Sequence, residues 1–332
     1  MPEGLTVRPV LRVRATDDLV LPIVDVTNPA FALSLATDEL AAMEAQYVRE
    51  SAQSQNVPPE VRAALASSRL GSGLMAARGT FLTGLNTYLL KLGPENLPEN
   101  FHPIDRRIAA SFPAITARLR LQDMAALLTD GLADALASAP RRPLHFINIA
   151  GGPGADSWNT LIRLRRIDEA LADREITVNV LDLDDQGPGF GGRAFEALQS
   201  EGAPLDGLHV HFHHQRYNWS ESAELRHLLG SFDLRASLCA VSSEGGLFEY
   251  GSDEEIAANL SVLRDLTPDD TIVAGSACRE SESTRAHAGI GVTLRPRSRE
   301  AFQQLVEGSG WRVDALIERP FNDNVRLKRG TA

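Results

Sequence analysis

From Pro143 onward, short apolar runs alternate with amphipathic stretches. LHFINIA (144–150), ITVNVLDLD (176–184), LHVHFHH (208–214), LRASLCAVS (234–242) and TIVAGSAC (271–278) have the length and branching of strands. Between them, WNTLIRLRRIDEALA, RAFEALQSEG, SAELRHLLG and EEIAANLSVLRDL repeat their apolar residues at helical spacing. This alternation predicts a mostly parallel, doubly wound α/β sheet. The end of the chain differs. SREAFQQLVEGSG predicts a helix, and RVDALIERP and DNVRLKRG predict two strands of a terminal hairpin.

Residues 1–140 have another texture, mainly helical after an extended start. Thr6–Arg14 and Leu19–Val26 predict short strands or a β-arm. A helix is expected from Thr37, its N-cap, through Arg49. LGSGLMAARGTFLTGLNTYLLKLG (70–93) keeps helical spacing up to Gly93-Pro94. Ile104–Ala137 reads as helix divided at Pro113. APRRP punctuates the chain at 139–143, so the expected organisation is a helical domain over 1–140 and a sheet domain over 141–332. A length of 332 residues agrees with two domains.

Composition narrows the function classes. With 33 basic and 44 acidic residues the formal charge is -11, which argues against a nonspecific nucleic-acid binder or a binder of anionic membranes. Cys239 and Cys278 are too few for a disulfide framework or a structural zinc site. The start carries charge throughout and lacks the apolar core of a secretory signal. No apolar run reaches the roughly 18 residues of a membrane span. The expectation is a soluble, cytoplasmic protein.

Candidate chemistry begins where the first strand of the second half meets Gly151-Gly152-Pro153-Gly154 and then a helix. Glycines there let backbone approach a ligand, and the helix start offers free N–H groups. The next strand runs into Asp182-Leu183-Asp184-Asp185. A carboxylate at that point can hold both hydroxyls of a ribose; Asp182 is the first choice, Asp184 the second, and Asp185 a cap or solvated residue. A nicotinamide fingerprint beginning at Gly152 fails at its third glycine, where Ser157 stands. His209, His211 and His213 share one strand face; without a spaced carboxylate or cysteine they read as a polar face, and no metal site is expected. Gly187-Pro188-Gly189-Phe190-Gly191-Gly192 reads as a mobile turn, and Ser281–Thr284 as a solvated loop.

These residues resemble the class I S-adenosylmethionine-dependent methyltransferases. The family's first motif, an acid followed after one residue by G-x-G-x-G, appears as Asn148-Ile149-Ala150-Gly151-Gly152-Pro153-Gly154. Asn148 replaces the acid and Ala150 the first glycine. Asp182 matches the acid closing the second strand, and Thr267–Asp270 resembles the turn before the fifth. The terminal hairpin fits a reversed seventh strand, and the likeness spans roughly 142–330.

The resemblance implies a seven-stranded sheet and S-adenosyl-L-methionine as methyl donor. It places Gln215 and Tyr217 near the adenine, and Ser242 with the loop Ser243–Tyr250 facing the sulfonium and the acceptor. In that loop Glu244 or Glu249 would orient the acceptor or take its proton, and Phe248 or Tyr250 would wall the pocket. The implied reaction is in-line methyl transfer to a small molecule. The helical half would serve as lid, acceptor wall and homodimer surface. A nicotinamide oxidoreductase and a donor-binding protein without turnover are the alternatives.

Overall fold

The computed structural model describes residues 8–16, 18–53, 58–289 and 293–330. The first expected strand, Thr6–Arg14, begins outside these residues. Within them, β1 (Arg12–Thr16) and β2 (Leu19–Pro22) pair antiparallel. Helices α1 (Thr37–Gln53), α2 (Pro59–Ser67), α3 (Arg69–Ala76), α4 (Gly84–Lys91), α5 (Pro103–Ala109) and α6 (Phe112–Ser138) follow. Pro113 stands in the first turn of α6, where its missing N–H costs nothing, so the break falls just before it. The apolar stretch 70–93 is two helices, not one. α3 stops at Ala76, and a loop with Gly79 at φ 77° leads to α4, which Thr83 caps by accepting from Asn86 N at 3.3 Å.

The remainder is β3 (Leu144–Ile149), α7 (Ala155–Arg165), a 3-10 turn (Glu169–Asp173), β4 (Glu175–Leu181), α8 (Gln186–Leu198), β5 (His209–Gln215), α9 (Ser222–Gly230), β6 (Leu238–Ser243), α10 (Leu247–Tyr250), α11 (Asp253–Leu266), β7 (Ile272–Cys278), α12 (Glu282–Gly289), α13 (Arg299–Gly308), β8 (Trp311–Glu318) and β9 (Asn322–Arg329). The sheet runs β5-β4-β3-β6-β7-β9-β8. Only β9 is reversed, pairing antiparallel with both β7 and β8. The strand-order switch between β3 and β6 opens a crevice at the carboxyl ends of these strands.

Each face of the sheet buries one apolar layer. On one face Phe146, Val178, Val180, Ala240 and Ala274 pack with Leu21, Tyr88, Met124, Leu128 and Trp158, so the N-terminal helices and the sheet share a core. On the other, Ile147, Val241, Val273 and Leu327 meet Leu225, Leu260, Phe302 and Trp311. Trp158 is fully buried, donates to Val24 O at 2.7 Å, and so fastens α7 to the segment after β2.

Two loop expectations are overturned. The glycine-rich 187–192 segment lies inside α8. The reason is tertiary: a Cβ on Gly191 would stand 2.1 Å from Pro153 O, so glycine lets α8 lie directly on the turn after β3. Ser283 and Thr284 are buried in α12, and Ser283 Oγ donates to Glu44 of α1 at 2.7 Å. The histidine-bearing strand β5 is one edge of the sheet.

Candidate active site

The turn after β3 is held in left-handed backbone. Gly152 and Gly154 have φ of 52° and 75°, and Ala150 adopts φ 55° although it carries a side chain. Ala150 N donates to Leu181 O at 2.7 Å, tying the turn to the end of β4. Asp182, next in the chain, is nine-tenths buried. Its Oδ2 accepts from Gly152 N at 2.8 Å and its Oδ1 from Asp184 N at 2.9 Å. Burial pushes this carboxyl up, against the two backbone donors. Asp184 accepts from the N–H of Gln186, the first residue of α8, at 3.1 Å.

A cleft of about 840 Å³, open mouth included, lies over this turn. Ala150, Gly151, Gly152, Asp182, Asp184, Tyr217, Glu244 and Tyr250 contribute to its walls. Asn148, Gly154, Gln215, Ser242 and Glu249 stand behind them. Asn148 is fully buried: its Nδ2 donates to Asp156 Oδ1 at 2.7 Å and Ser242 Oγ at 2.6 Å, and its Oδ1 accepts from Ser157 Oγ at 2.9 Å. It knits β3, β6 and α7 together under the turn. Gln215 contributes its carbonyl, which accepts from Asp182 N at 3.1 Å. Tyr217 donates to Asn259 Oδ1 at 2.7 Å. Phe248 is core, edge-on to Phe302 at 5.3 Å.

The loop after β6 is fixed by ion pairs to the N-terminal helices. Glu244 pairs with Lys91 of α4, and its Oε1 accepts from Arg120 Nε of α6 at 2.6 Å. Arg120 Nη1 also donates to Glu249 Oε1 at 2.9 Å, which accepts from Ser276 Oγ at 2.8 Å and from Asn322. Burial alone would raise the Glu244 carboxyl, but the cations of Lys91 and Arg120 outweigh it and hold it below the usual range. Burial pushes the Tyr250 hydroxyl up.

The other wall comes from residues the sequence reading passed over: Phe81, Leu82, Thr83, Gly84, Thr87 and Lys91, with Trp219 opposite. Gly84 lies so close that a Cβ on it would meet Gly152 Cα at 2.5 Å. The one local signal was Lys91, a charge in the otherwise apolar run Tyr88–Leu92.

The seven-stranded order with β9 reversed is the arrangement that the family resemblance implies. No family model matches the chain, and no curated protein matches its sequence. Among solved structures the chain is similar to a possible exported protein from Bordetella parapertussis, with 16% identity over 90% of this chain and 98% of that one, at a TM-score of 0.55. That likeness is one of fold. It is also similar to the magnesium protoporphyrin IX methyltransferase ChlM from Synechocystis PCC 6803 with bound SAH, with 12% identity, 75% and 94% of the two chains covered, and a TM-score of 0.46. For the mitomycin 7-O-methyltransferase MmcR the figures are 14% identity, 88% and 68% coverage, and a TM-score of 0.41. These two fall below a TM-score of 0.5 and establish neither fold nor activity.

Proposed function

We propose that the cleft binds S-adenosyl-L-methionine and that the protein transfers its methyl group to a small molecule. The observation that carries this reading is Asp182. It is a carboxylate in the cleft wall at the end of β4, anchored by the turn that follows β3. Each of its oxygens accepts one backbone N–H and keeps lone pairs for the hydroxyls of a ribose. Tyr250 and Trp219 give the same cleft aromatic faces, which attract a sulfonium.

The bound donor supplies a methyl group already activated on sulfur, so the chain's task is binding and alignment. Asp182 fixes the sugar. Asn148 and Ser242 brace the strands beneath it. Glu244, held as an anion by Lys91 and Arg120, sets the loop after β6, and Glu249 anchors that loop to β7 and β9. Tyr250 walls the reacting end. The N-terminal helices, α4 above all, form the acceptor side.

A nicotinamide dinucleotide fits less well. Its diphosphate would need the N–H groups of the glycine turn. Gly152 N is spent on Asp182, and Gly84 and Gly187 stand against the Gly152 backbone. Calorimetry with S-adenosylhomocysteine and with NAD separates the two readings. Binding of the first alone is expected; binding of NAD alone would defeat the proposal. Asp182→Ala should weaken S-adenosylhomocysteine by at least about tenfold, or roughly 1.4 kcal/mol, with the circular dichroism spectrum retained. The buried, unpaired Cys239 and Cys278 support a reducing compartment such as the cytoplasm.

A further inference from the structure

Three features of the cleft bear on the acceptor. The first is the absence of a base. The titratable groups in the walls are Lys91, Asp182, Asp184, Tyr217, Glu244 and Tyr250, and no histidine lines the cleft among the described residues. Asp182 and Asp184 accept backbone N–H groups, Tyr217 donates to Asn259, and Glu244 is shared between two cations. The Glu244 carboxyl is held low and the Tyr250 hydroxyl high, so neither takes a proton from an alcohol near neutral pH.

The second is Lys91. Its side chain is 5% exposed, and its Nζ makes one hydrogen bond among the described residues, to Glu244. An ammonium has three donors, so two buried N–H groups lack a protein acceptor in the wall of a cleft. Leaving such donors unpaired is unfavourable. The charged groups around Lys91 are Glu244 after β6, Arg120 on α6 and the buried Asp156 on α7. Lys91 and Arg120 balance Glu244 and Glu249, so the cluster is neutral and an anion here would be held by the free Nζ donors.

The third is the mouth. The Phe81 ring lies 5.4 Å from that of Trp219 and 6.2 Å from that of Tyr250, at interplanar angles of 53° and 67°. Three rings from three separate segments converge there, and Phe81 is itself 38% exposed. Such rings suit a planar aromatic guest.

Resting on the methyl-donor reading, we infer that the acceptor is an aromatic molecule bound as a preformed oxyanion, with its ring against Phe81, Trp219 and Tyr250 and its charged oxygen on Lys91. The acceptor's hydroxyl loses its proton to water before binding. A lone pair of the oxygen then forms the new C–O bond as the C–S bond breaks. The sulfur keeps that bonding pair, and the products are a methyl ether and a neutral thioether. Acidic phenols and enols belong to this class; simple alcohols do not.

The test is a spectroscopic titration of 4-nitrophenol, whose ionised and neutral forms absorb at different wavelengths, with protein in excess and S-adenosylhomocysteine present. The ratio of ionised to neutral probe should be at least about ten times higher when bound than when free at the same pH. Lys91→Met should lower that preference by a larger factor than it weakens S-adenosylhomocysteine, measured by calorimetry. That affinity also reports that the variant is folded. A bound probe that stays neutral, or no saturable probe binding while S-adenosylhomocysteine binds, overturns the inference. So does an equal loss of both ligands in Lys91→Met, which would assign Lys91 to the donor. Failure of S-adenosylhomocysteine to bind the wild-type chain would remove the donor reading itself, and this inference with it.

Discussion

Asp156 offers a quantitative check on the polar layer beneath the cleft. It sits in the first turn of α7, 2% exposed. Its Oδ1 accepts from Asn148 Nδ2 at 2.7 Å and from Ser157 N at 2.9 Å, and its Oδ2 has no partner. Burial pushes this carboxyl from 3.8 up to about 6. The folded state therefore holds the proton more tightly than the unfolded chain, and the group's contribution to stability falls as pH rises from about 4 to about 6. At 1.36 kcal/mol for each tenfold change, the accumulated loss is roughly 2–3 kcal/mol at neutral pH. Asp156→Asn carries no charge and keeps an oxygen for Asn148 and Ser157. Its new N–H₂ group stands where Oδ2 was, at a fixed penalty that does not vary with pH. Urea unfolding of both proteins at several pH values between about 4.5 and 7.5 isolates the titrating part. The stability of the variant relative to wild type should climb by about 2 kcal/mol over that range. A difference independent of pH would refute the reasoning, because it would mean that Asp156 ionises in the fold as it does in water.

The remaining predictions concern the turn itself. Ala150→Gly should relieve the left-handed strain at φ 55° and raise stability by about 1 kcal/mol, seen as a higher urea midpoint at unchanged slope; a lower midpoint would show that the conformation is not strained. Gly191→Ala should destabilise the protein by about 3 kcal/mol and weaken S-adenosylhomocysteine, because its Cβ would collide with Pro153 O. Gly189→Ala in the same helix, with nothing nearer than 3.9 Å, should instead gain roughly 0.5–1 kcal/mol and leave binding unchanged.

The parts of this fold that follow local rules were legible. The strands of the parallel sheet announce themselves by short β-branched runs, the division before α6 by Pro113, and the reversed β9 by a second strand following closely on the first. The position of Asp182 was legible the same way, because a carboxylate directly after a strand is a local pattern. Errors arose where a local signal had a distant cause. Glycines at 187–192 imply a turn to any reader of neighbouring residues, yet they permit a helix to rest on Pro153. Helical spacing over 70–93 does not reveal that the chain must leave the helix at Ala77–Thr83 to bring Phe81 against Trp219 and Tyr250.

The cleft's second wall was hidden for the same reason. Glu244 meets Lys91 across 153 residues of chain and Arg120 across 124, and no spacing rule spans such distances. Read alone, Glu244 in a glycine-flanked loop suggests a base. With two cations on it, the same carboxylate stays ionised and gives up its basicity, and its role becomes that of an anchor between loop and helices. A reassignment of this kind alters the chemistry required of the substrate. On the proposed function, a protein that does not remove the proton needs an acceptor that arrives without it, and substrate choice becomes partly a matter of the acceptor's own acidity. The charge partners of a carboxylate, more than its presence, decide which reaction a site can support.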